Sequence, residues 1–118
     1  MRGRVVQDWN ASFPDGVVFS PGDRVRLEKF DPDWPGWGWG LTSTGAGAWL
    51  PLAIFVPESD PSFSLPVDGV IVESYESTEL TARAGETVVI FRQMSGWYWA
   101  EDEMGRRGWI PVICVELI

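Results

Sequence analysis

The fold is decided by Trp97-Tyr98-Trp99-Ala100 and, a few residues later, Gly108-Trp109-Ile110-Pro111. The same pattern occurs about 60 residues earlier, as Trp37-Gly38-Trp39 followed by Ala48-Trp49-Leu50-Pro51. A pattern that recurs at this distance divides a chain into two similar units. The match continues toward the amino terminus, where two further pairs of segments align: Pro21-Gly22-Asp23 with Ala84-Gly85-Glu86, and Val5-Val6-Gln7-Asp8-Trp9 with Ile71-Val72-Glu73-Ser74-Tyr75. We therefore predict one domain at residues 1–57, a linker rich in Pro and Ser at 58–66, and a second domain at 67–118.

The composition fits two small domains with aromatic cores. Each repeat of this 118-residue chain has roughly 55 to 60 residues, near the lower limit for a domain that holds its core without metals or disulfides. The eight Trp and six Phe compensate, because each ring buries a large apolar area. One cysteine permits no internal disulfide, and we find neither a signal-peptide pattern nor a long apolar run. We therefore expect a cytoplasmic protein.

The chain is acidic, with a net charge of -8. Because nucleic acids and anionic membranes are bound mainly through clustered Lys and Arg, we expect neither as a partner. Basic segments of a partner protein match this negative charge better. Most of the acidic residues lie in the second repeat, including Glu73, Glu76, Glu79 and the run 101–103. A solvated acidic face that aids solubility is the alternative interpretation of such runs.

Short apolar or alternating segments between Gly and Pro turns predict β-strands, and helical periodicity is nearly absent. Examples are Val25-Arg26-Leu27 and Thr87-Val88-Val89-Ile90-Phe91. The predicted fold class is all-β, with two small five-stranded barrels in tandem. We assign Trp37 and Trp97 to the face opposite Trp39 and Trp99, and expect them outside. The predicted core residues are Val25, Leu27, Trp39, Leu50, Val88, Ile90, Trp99 and Ile110.

The second repeat resembles the Src-homology-3 (SH3) family over nearly its whole length. The segments that carry this resemblance are Ile71-Val72-Glu73-Ser74-Tyr75, Thr78-Glu79-Leu80, Ala84-Gly85-Glu86, Trp97-Tyr98-Trp99-Ala100 and Gly108-Trp109-Ile110-Pro111. The first repeat matches less closely. The resemblance implies two SH3-like barrels that recognise proline-rich peptides, whose extended form loses little entropy when it docks on aromatic side chains.

The resemblance also implies site residues. Trp97 would be the ridge between ligand pockets, Tyr75 a pocket wall and Pro111 part of the floor, while Glu76 and Glu79 would pair with a basic ligand side chain. In the first repeat the matching positions are Trp9, Trp37 and Pro51. Two aromatic groove positions of the family are lost in each repeat, where this chain has Gln7, Ile54, Glu73 and Cys114.

No catalytic residues are expected, because a chain without His cannot form a Ser-His or Cys-His pair and lacks a usual zinc ligand. We expect no cofactor and no metal. The sequence therefore predicts a non-enzymatic adaptor that binds a proline-rich or basic peptide of a partner protein. The alternative is an assembly protein whose two barrels pack together, with the groove filled internally or used for oligomerisation. The oligomeric state is left open.

Overall fold

A computed structural model describes residues 1–59 and 64–118. Strands and two 3₁₀ turns form its regular structure, and the described residues contain no α-helix, which confirms the all-β prediction. Accordingly, no helix in the described ranges has the length and apolarity to cross a membrane. The strands, in chain order, are β1 (Arg2–Val5), β2 (Val18–Phe19), β3 (Arg24–Phe30), β4 (Trp37–Thr42), β5 (Gly47–Pro51), β6 (Phe55–Pro57), β7 (Val67–Ile71), β8 (Tyr75–Glu76), β9 (Thr87–Met94), β10 (Trp97–Glu101), β11 (Arg107–Pro111) and β12 (Val115–Leu117).

One compact unit consists of residues 17–77, and we call it the continuous unit. Its five-stranded sheet has the order β5-β4-β3-β7-β6, and β2 and β8 form a separate two-stranded ladder. In β3 the side chains alternate between the core and solvent, so that Val25 and Leu27 are buried. A 3₁₀ turn at Leu52–Ile54 connects β5 to β6.

The other compact unit consists of residues 1–16 and 78–118, and we call it the split unit. Its sheet has the order β11-β10-β9-β1-β12, and a second 3₁₀ turn at Val112–Cys114 precedes β12. One buried cluster forms the core of this unit. Its members are Val5, Leu80, Ala82, Val88, Ile90, Tyr98, Ala100, Ile110, Cys114 and Val115.

Each unit contains the first strand of the other repeat. β7 begins the second repeat but lies between β3 and β6 of the first, whereas β1 lies between β9 and β12 of the second. The predicted boundaries at 1–57, 58–66 and 67–118 follow the repeats, and the compact units cut across them. Part of the predicted linker, residues 60–63, lies outside the described residues. Within the described residues, neither five-stranded sheet closes on itself, because each has two edge strands. The closed barrels expected from the sequence are therefore not observed.

The burial of the tryptophans corrects the sequence prediction. Trp37 and Trp97 are only 5 % and 7 % exposed, whereas Trp39 and Trp99, which were expected in the core, are half-buried. Residues two apart in a strand share a face, so assigning these pairs to opposite faces was wrong. The other predicted core residues are buried as expected: Val25, Leu27, Leu50, Val88, Ile90 and Ile110.

Candidate peptide-binding site

The eight predicted site residues form two groups that mix the repeats. The split unit contains Trp9 from the first repeat together with three residues of the second: Glu79, Trp97 and Pro111. The continuous unit contains two residues of each repeat: Trp37, Pro51, Tyr75 and Glu76. The sequence resemblance placed Tyr75 beside Trp97 and Trp9 beside Trp37. The structure exchanges these partners because the first strands are exchanged.

Trp97 is the centre of the group in the split unit. It lies opposite Pro111 in the β10–β11 ladder, and Trp9 meets its ring edge-on, with ring centroids 5.3 Å apart and an interplanar angle of 84°. Trp97 is therefore covered, while Trp9 stays half-buried. Such T-shaped pairs are favourable because the positive edge of one ring faces the negative face of the other. In this unit the more accessible of the two indoles is that of Trp9.

Glu79 lies next to this aromatic pair. Its Oε1 accepts hydrogen bonds from Trp9 Nε1 at 3.3 Å and from the backbone N–H of Ser12 at 3.4 Å. Partial burial raises the pKa of Glu79 above its ordinary value, because desolvation disfavours the charged form, although both hydrogen bonds act in the opposite direction. The carboxylate is consequently a partly desolvated negative charge held at a defined position.

Strand β11 fixes the segment that carries Glu79. The backbone N–H of Leu80 donates to the carbonyl oxygen of Trp109 at 2.9 Å, and the N–H of Trp109 donates to the carbonyl oxygen of Thr78 at 2.9 Å. Gly108 permits this close approach, since a Cβ there would lie 2.6 Å from the backbone nitrogen of Leu80. The glycine is therefore required for the placement of the acidic side chain.

Tyr75 is the corresponding residue in the continuous unit, and it is buried. Its ring stacks on Phe19 at 5.9 Å and meets Trp37 at 6.4 Å, and its hydroxyl donates to the carbonyl oxygen of Trp49 at 2.9 Å. Pro51 lies opposite Trp37 in the β4–β5 ladder. This group therefore packs against residues of its own unit.

The remaining charged and substituted positions differ in accessibility. Glu76 is exposed and lies opposite Val18 in the β2–β8 ladder. Gln7 and Glu73 are exposed too, which fits their polar side chains. Ile54 and Cys114, in contrast, are buried in the interior, where burial raises the pKa of the Cys114 thiol. These two positions add to the core and give no aromatic wall.

Trp49 and Trp109 were missed as members of the aromatic faces. Trp109 meets Trp99 with ring centroids 5.4 Å apart, and Trp49 meets Trp39 at 5.2 Å. Hairpin register was the signal that could have identified them. If Trp97 lies opposite Pro111, an antiparallel pair with a short turn places Trp99 opposite Trp109.

The acidic run 101–103 has a structural role. Asp102 is buried and accepts hydrogen bonds from the backbone N–H groups of Met104 and Arg106, both at 2.9 Å, and from Arg106 Nε at 2.8 Å. Burial alone would raise its pKa, but the hydrogen bonds outweigh burial and lower it. Glu101 pairs with Arg107 at 2.8 Å. Within the described part of the chain, no three Cys, Asp or Glu side chains are grouped as a metal site.

Comparison with known families supports the resemblance of the second repeat to SH3 domains. The family described as the variant SH3 domain matches residues 70–118. No curated protein and no solved structure matches the chain. The matched segment starts in the continuous unit, at 70–77, and proceeds through the split unit, at 78–118. A variant SH3 domain is thus found at residues 70–118, and SH3 domains are in general non-catalytic modules for protein interaction.

Proposed function

We propose that the chain is an interaction module that binds a proline-rich or basic peptide segment of a partner protein, and that the split unit forms the principal site. The observation that carries this proposal is the position of Glu79. Its carboxylate lies beside the half-buried Trp9, in a unit that contains most of the variant SH3 match. A negative charge next to an indole suits a ligand that combines a cationic side chain with flat apolar rings.

Charge and desolvation support a basic ligand. Partial burial of Glu79 has already removed part of its hydration, so a ligand guanidinium would encounter a charge that gains by being neutralised. The hydrogen bonds from Trp9 and Ser12 both end on Oε1 of Glu79. We therefore assign Oε2 to the ligand. The net charge of -8 would favour the approach of basic segments.

Trp9 and Trp97 take different roles in this proposal. The half-buried Trp9 presents the surface on which a proline ring would pack. Trp97 supports it from the sheet, together with Pro111, and so holds the indole that the ligand contacts. In the continuous unit, Tyr75, Trp37 and Pro51 are buried, and we assign them a supporting role with Glu76 as an accessible acidic group.

The test is a titration of the isotope-labelled chain with a synthetic peptide that contains a Pro-x-x-Pro repeat and one Arg, followed by NMR. We expect the largest shifts at Trp9 and Glu79. Glu79→Gln should weaken binding about tenfold, as expected for the loss of one charge-assisted hydrogen bond. The matched control is Glu103→Gln, which removes an exposed charge at the hairpin tip and should leave the affinity unchanged. Equal affinities for the two variants, or no saturable shifts, would refute the proposal.

An assembly role is the second candidate, and one observation favours it. In both units an aromatic residue expected on an open ridge is covered by a residue of the same chain: Trp97 by Trp9, and Trp37 in contact with Tyr75. An SH3-like face filled in this way would stabilise the chain without taking a ligand. Acrylamide quenching separates the two roles. Quenching that is lost in Trp9→Phe and that the peptide suppresses supports binding, because the other seven tryptophans are common to both proteins. Quenching that neither Trp9→Phe nor the peptide changes supports assembly.

A further inference from the structure

The chain contains two equivalent strand segments that can be placed in either unit. We propose that side chains which meet only in the observed arrangement determine that each unit takes its first strand from the other repeat. We call the observed arrangement the exchanged pairing. In the alternative, the tandem pairing, β1 would join β3 and β6 of its own repeat, and β7 would join β9 and β12.

Backbone hydrogen bonds do not distinguish the two pairings. The N–H of Val5 donates to the carbonyl oxygen of Glu86 at 2.8 Å, and the equivalent N–H of Ile71 donates to that of Asp23 at 2.9 Å. The two first strands also place a glycine at the same point, because Gly3 lies opposite Val88 and Gly69 lies opposite Val25. By these backbone criteria either first strand fits either sheet. The side chains must therefore determine which pairing forms.

Charge on the outer face of the sheets favours the exchanged pairing. Arg26 of β3 lies opposite Asp68 of β7, and its Nε donates to Oδ1 at 3.0 Å. In the tandem pairing, Arg2 would take the place of Asp68, so that Arg2 would face Arg26. Arg4 would take the place of Val70 and face Arg24. Glu58, which follows β6, pairs with Arg24 and donates its backbone N–H to the carbonyl oxygen of Asp68, so it would remain beside Arg24 in either pairing and beside Arg2 in the tandem one. Arg26 would nevertheless lose its carboxylate partner and face Arg2, and like charges directly opposite each other destabilise a sheet.

The split unit accepts the two arginines of β1 without such conflict. Arg2 lies opposite Val89, and Arg4 lies between Thr87 of β9 and Glu116 of β12. In the tandem pairing the neutral Val70 would occupy the place beside Glu116 instead. Arg4 thus lies opposite an acidic residue in β12, whereas in the tandem pairing the residue opposite it in β6 would be Val56.

A turn next to the sheet gives independent support. The backbone N–H of Ala84 donates to Asp8 Oδ1 at 2.7 Å. The position that matches Ala84 in the first repeat is Pro21, which has no N–H to donate. Asp8 would lose this hydrogen bond in the tandem pairing. The bond between Trp9 Nε1 and Glu79 would be lost as well, because the first repeat has Gly16 at the corresponding place.

The selection determines the composition of both aromatic faces. Trp9 meets Trp97, and Tyr75 meets Trp37, only because the first strands have changed places. The two repeats are then linked by the chain itself at 16–17 and 77–78, since neither unit is complete without a strand from the other repeat.

The test uses NMR on the intact chain. In the wild type we expect cross-strand nuclear Overhauser effects between residues 26 and 68, and none between 26 and 2. We then exchange the outer side chains of the two strands, with Arg2→Asp, Arg4→Val, Asp68→Arg and Val70→Arg. In this variant, contacts between residues 26 and 2 should replace those between 26 and 68 in most molecules. The control is Arg2→Lys with Asp68→Glu, which keeps the charges and should keep the wild-type contacts.

Two results would overturn the proposal. One is the presence of 26–2 contacts in the wild type, and the other is a folded charge-exchanged variant that keeps the 26–68 contacts. If the fourfold variant does not fold, the double variant of Arg2→Asp and Asp68→Arg is examined in the same way. Retention of the wild-type contacts there would count equally against the proposal, and their replacement would support it.

Discussion

Replacing Trp97 with Ala tests whether this indole supports the fold or lies open to a partner. The side chain is 7 % exposed and packs edge-on against Trp9 with centroids 5.3 Å apart. Removal of a buried Trp side chain usually costs about 3–5 kcal/mol, to which loss of the aromatic pair contributes roughly 0.5–1.5 kcal/mol. Trp97 is not a member of the buried core cluster of its unit, so its removal leaves a space beside the half-buried Trp9 and not a sealed cavity in the core. We therefore expect a loss near the lower end, about 3 kcal/mol.

The neighbouring Trp99 is the matched control. It lies two residues along the same strand and on the same face, but it is half-buried. Trp99→Ala should therefore cost less, roughly 1–2 kcal/mol, which includes the loss of its ring contact with Trp109 at 5.4 Å. The expected 3 kcal/mol for Trp97→Ala is equivalent to an increase of more than about a hundredfold in the unfolded fraction, because each 1.4 kcal/mol is tenfold.

The assay is urea denaturation followed by far-ultraviolet circular dichroism, which does not depend on the deleted indole. Amide hydrogen exchange at Ile90 and Ile110 shows whether the loss falls on the split unit, since both residues belong to its core. Trp97→Ala should speed exchange at these amides much more than Trp99→Ala does. If Trp97→Ala were no more destabilising than Trp99→Ala and yet abolished peptide binding, Trp97 would be the open ridge expected from the sequence, and the reasoning from burial would be wrong.

Three further predictions concern single side chains. Burial raises the folded-state pKa of Glu79 above its unfolded value, so its charge destabilises the folded chain at neutral pH, and this penalty disappears as the pH falls through the folded pKa. Glu79→Gln should therefore raise stability slightly at neutral pH and remove this acid-dependent gain, as urea titrations at several pH values would reveal. Asp102 has the opposite sign, because its lowered pKa adds stability that is present above the unfolded pKa and lost as the pH falls through the folded one. Asp102→Ala should cost about 1–2 kcal/mol in urea denaturation, since two partly buried N–H groups and the guanidinium of Arg106 lose their acceptor; no measurable change would refute this role. Gly108→Ala should destabilise the split unit by roughly 1–3 kcal/mol and shift the amide resonances of Glu79 and Leu80, because the added Cβ meets their backbone; unchanged resonances would contradict the close approach.

Local features of this fold were predictable from the sequence. The segment Thr87–Phe91 was predicted as a strand and lies within β9, which runs to Met94. The turn at Met104-Gly105 also follows from the sequence, and Gly105 there has a φ of 82°, a conformation that glycine adopts without strain. Each of these signals depends on a few adjacent residues. These features can therefore be predicted without knowing which residues from distant parts of the chain they contact.

The face of a tryptophan could be read from strand alternation, but its exposure could not. Alternation places Trp97 and Trp99 together on the outer face, since Tyr98 and Ala100 belong to the core. Trp97 is nevertheless covered and Trp99 is half-buried, because Trp9 reaches only the first of them. Trp9 is some 90 residues away in the chain. The accessible surface of the candidate site therefore depends on a long-range pairing that no local pattern records.

That pairing is also the point at which an alignment of the repeats loses information. Aligning β1 with β7 emphasises what the two strands share, such as Gly3 and Gly69, and these shared features are the ones that allow either strand to enter either sheet. The choice of sheet depends instead on a position at which the two strands differ, where β1 has Arg2 and β7 has Asp68. Arg26 makes its ion pair with Asp68 only in the exchanged pairing. For a duplicated β-fold, comparing the partners of each strand across both possible sheets is therefore more informative than comparing the strands with each other.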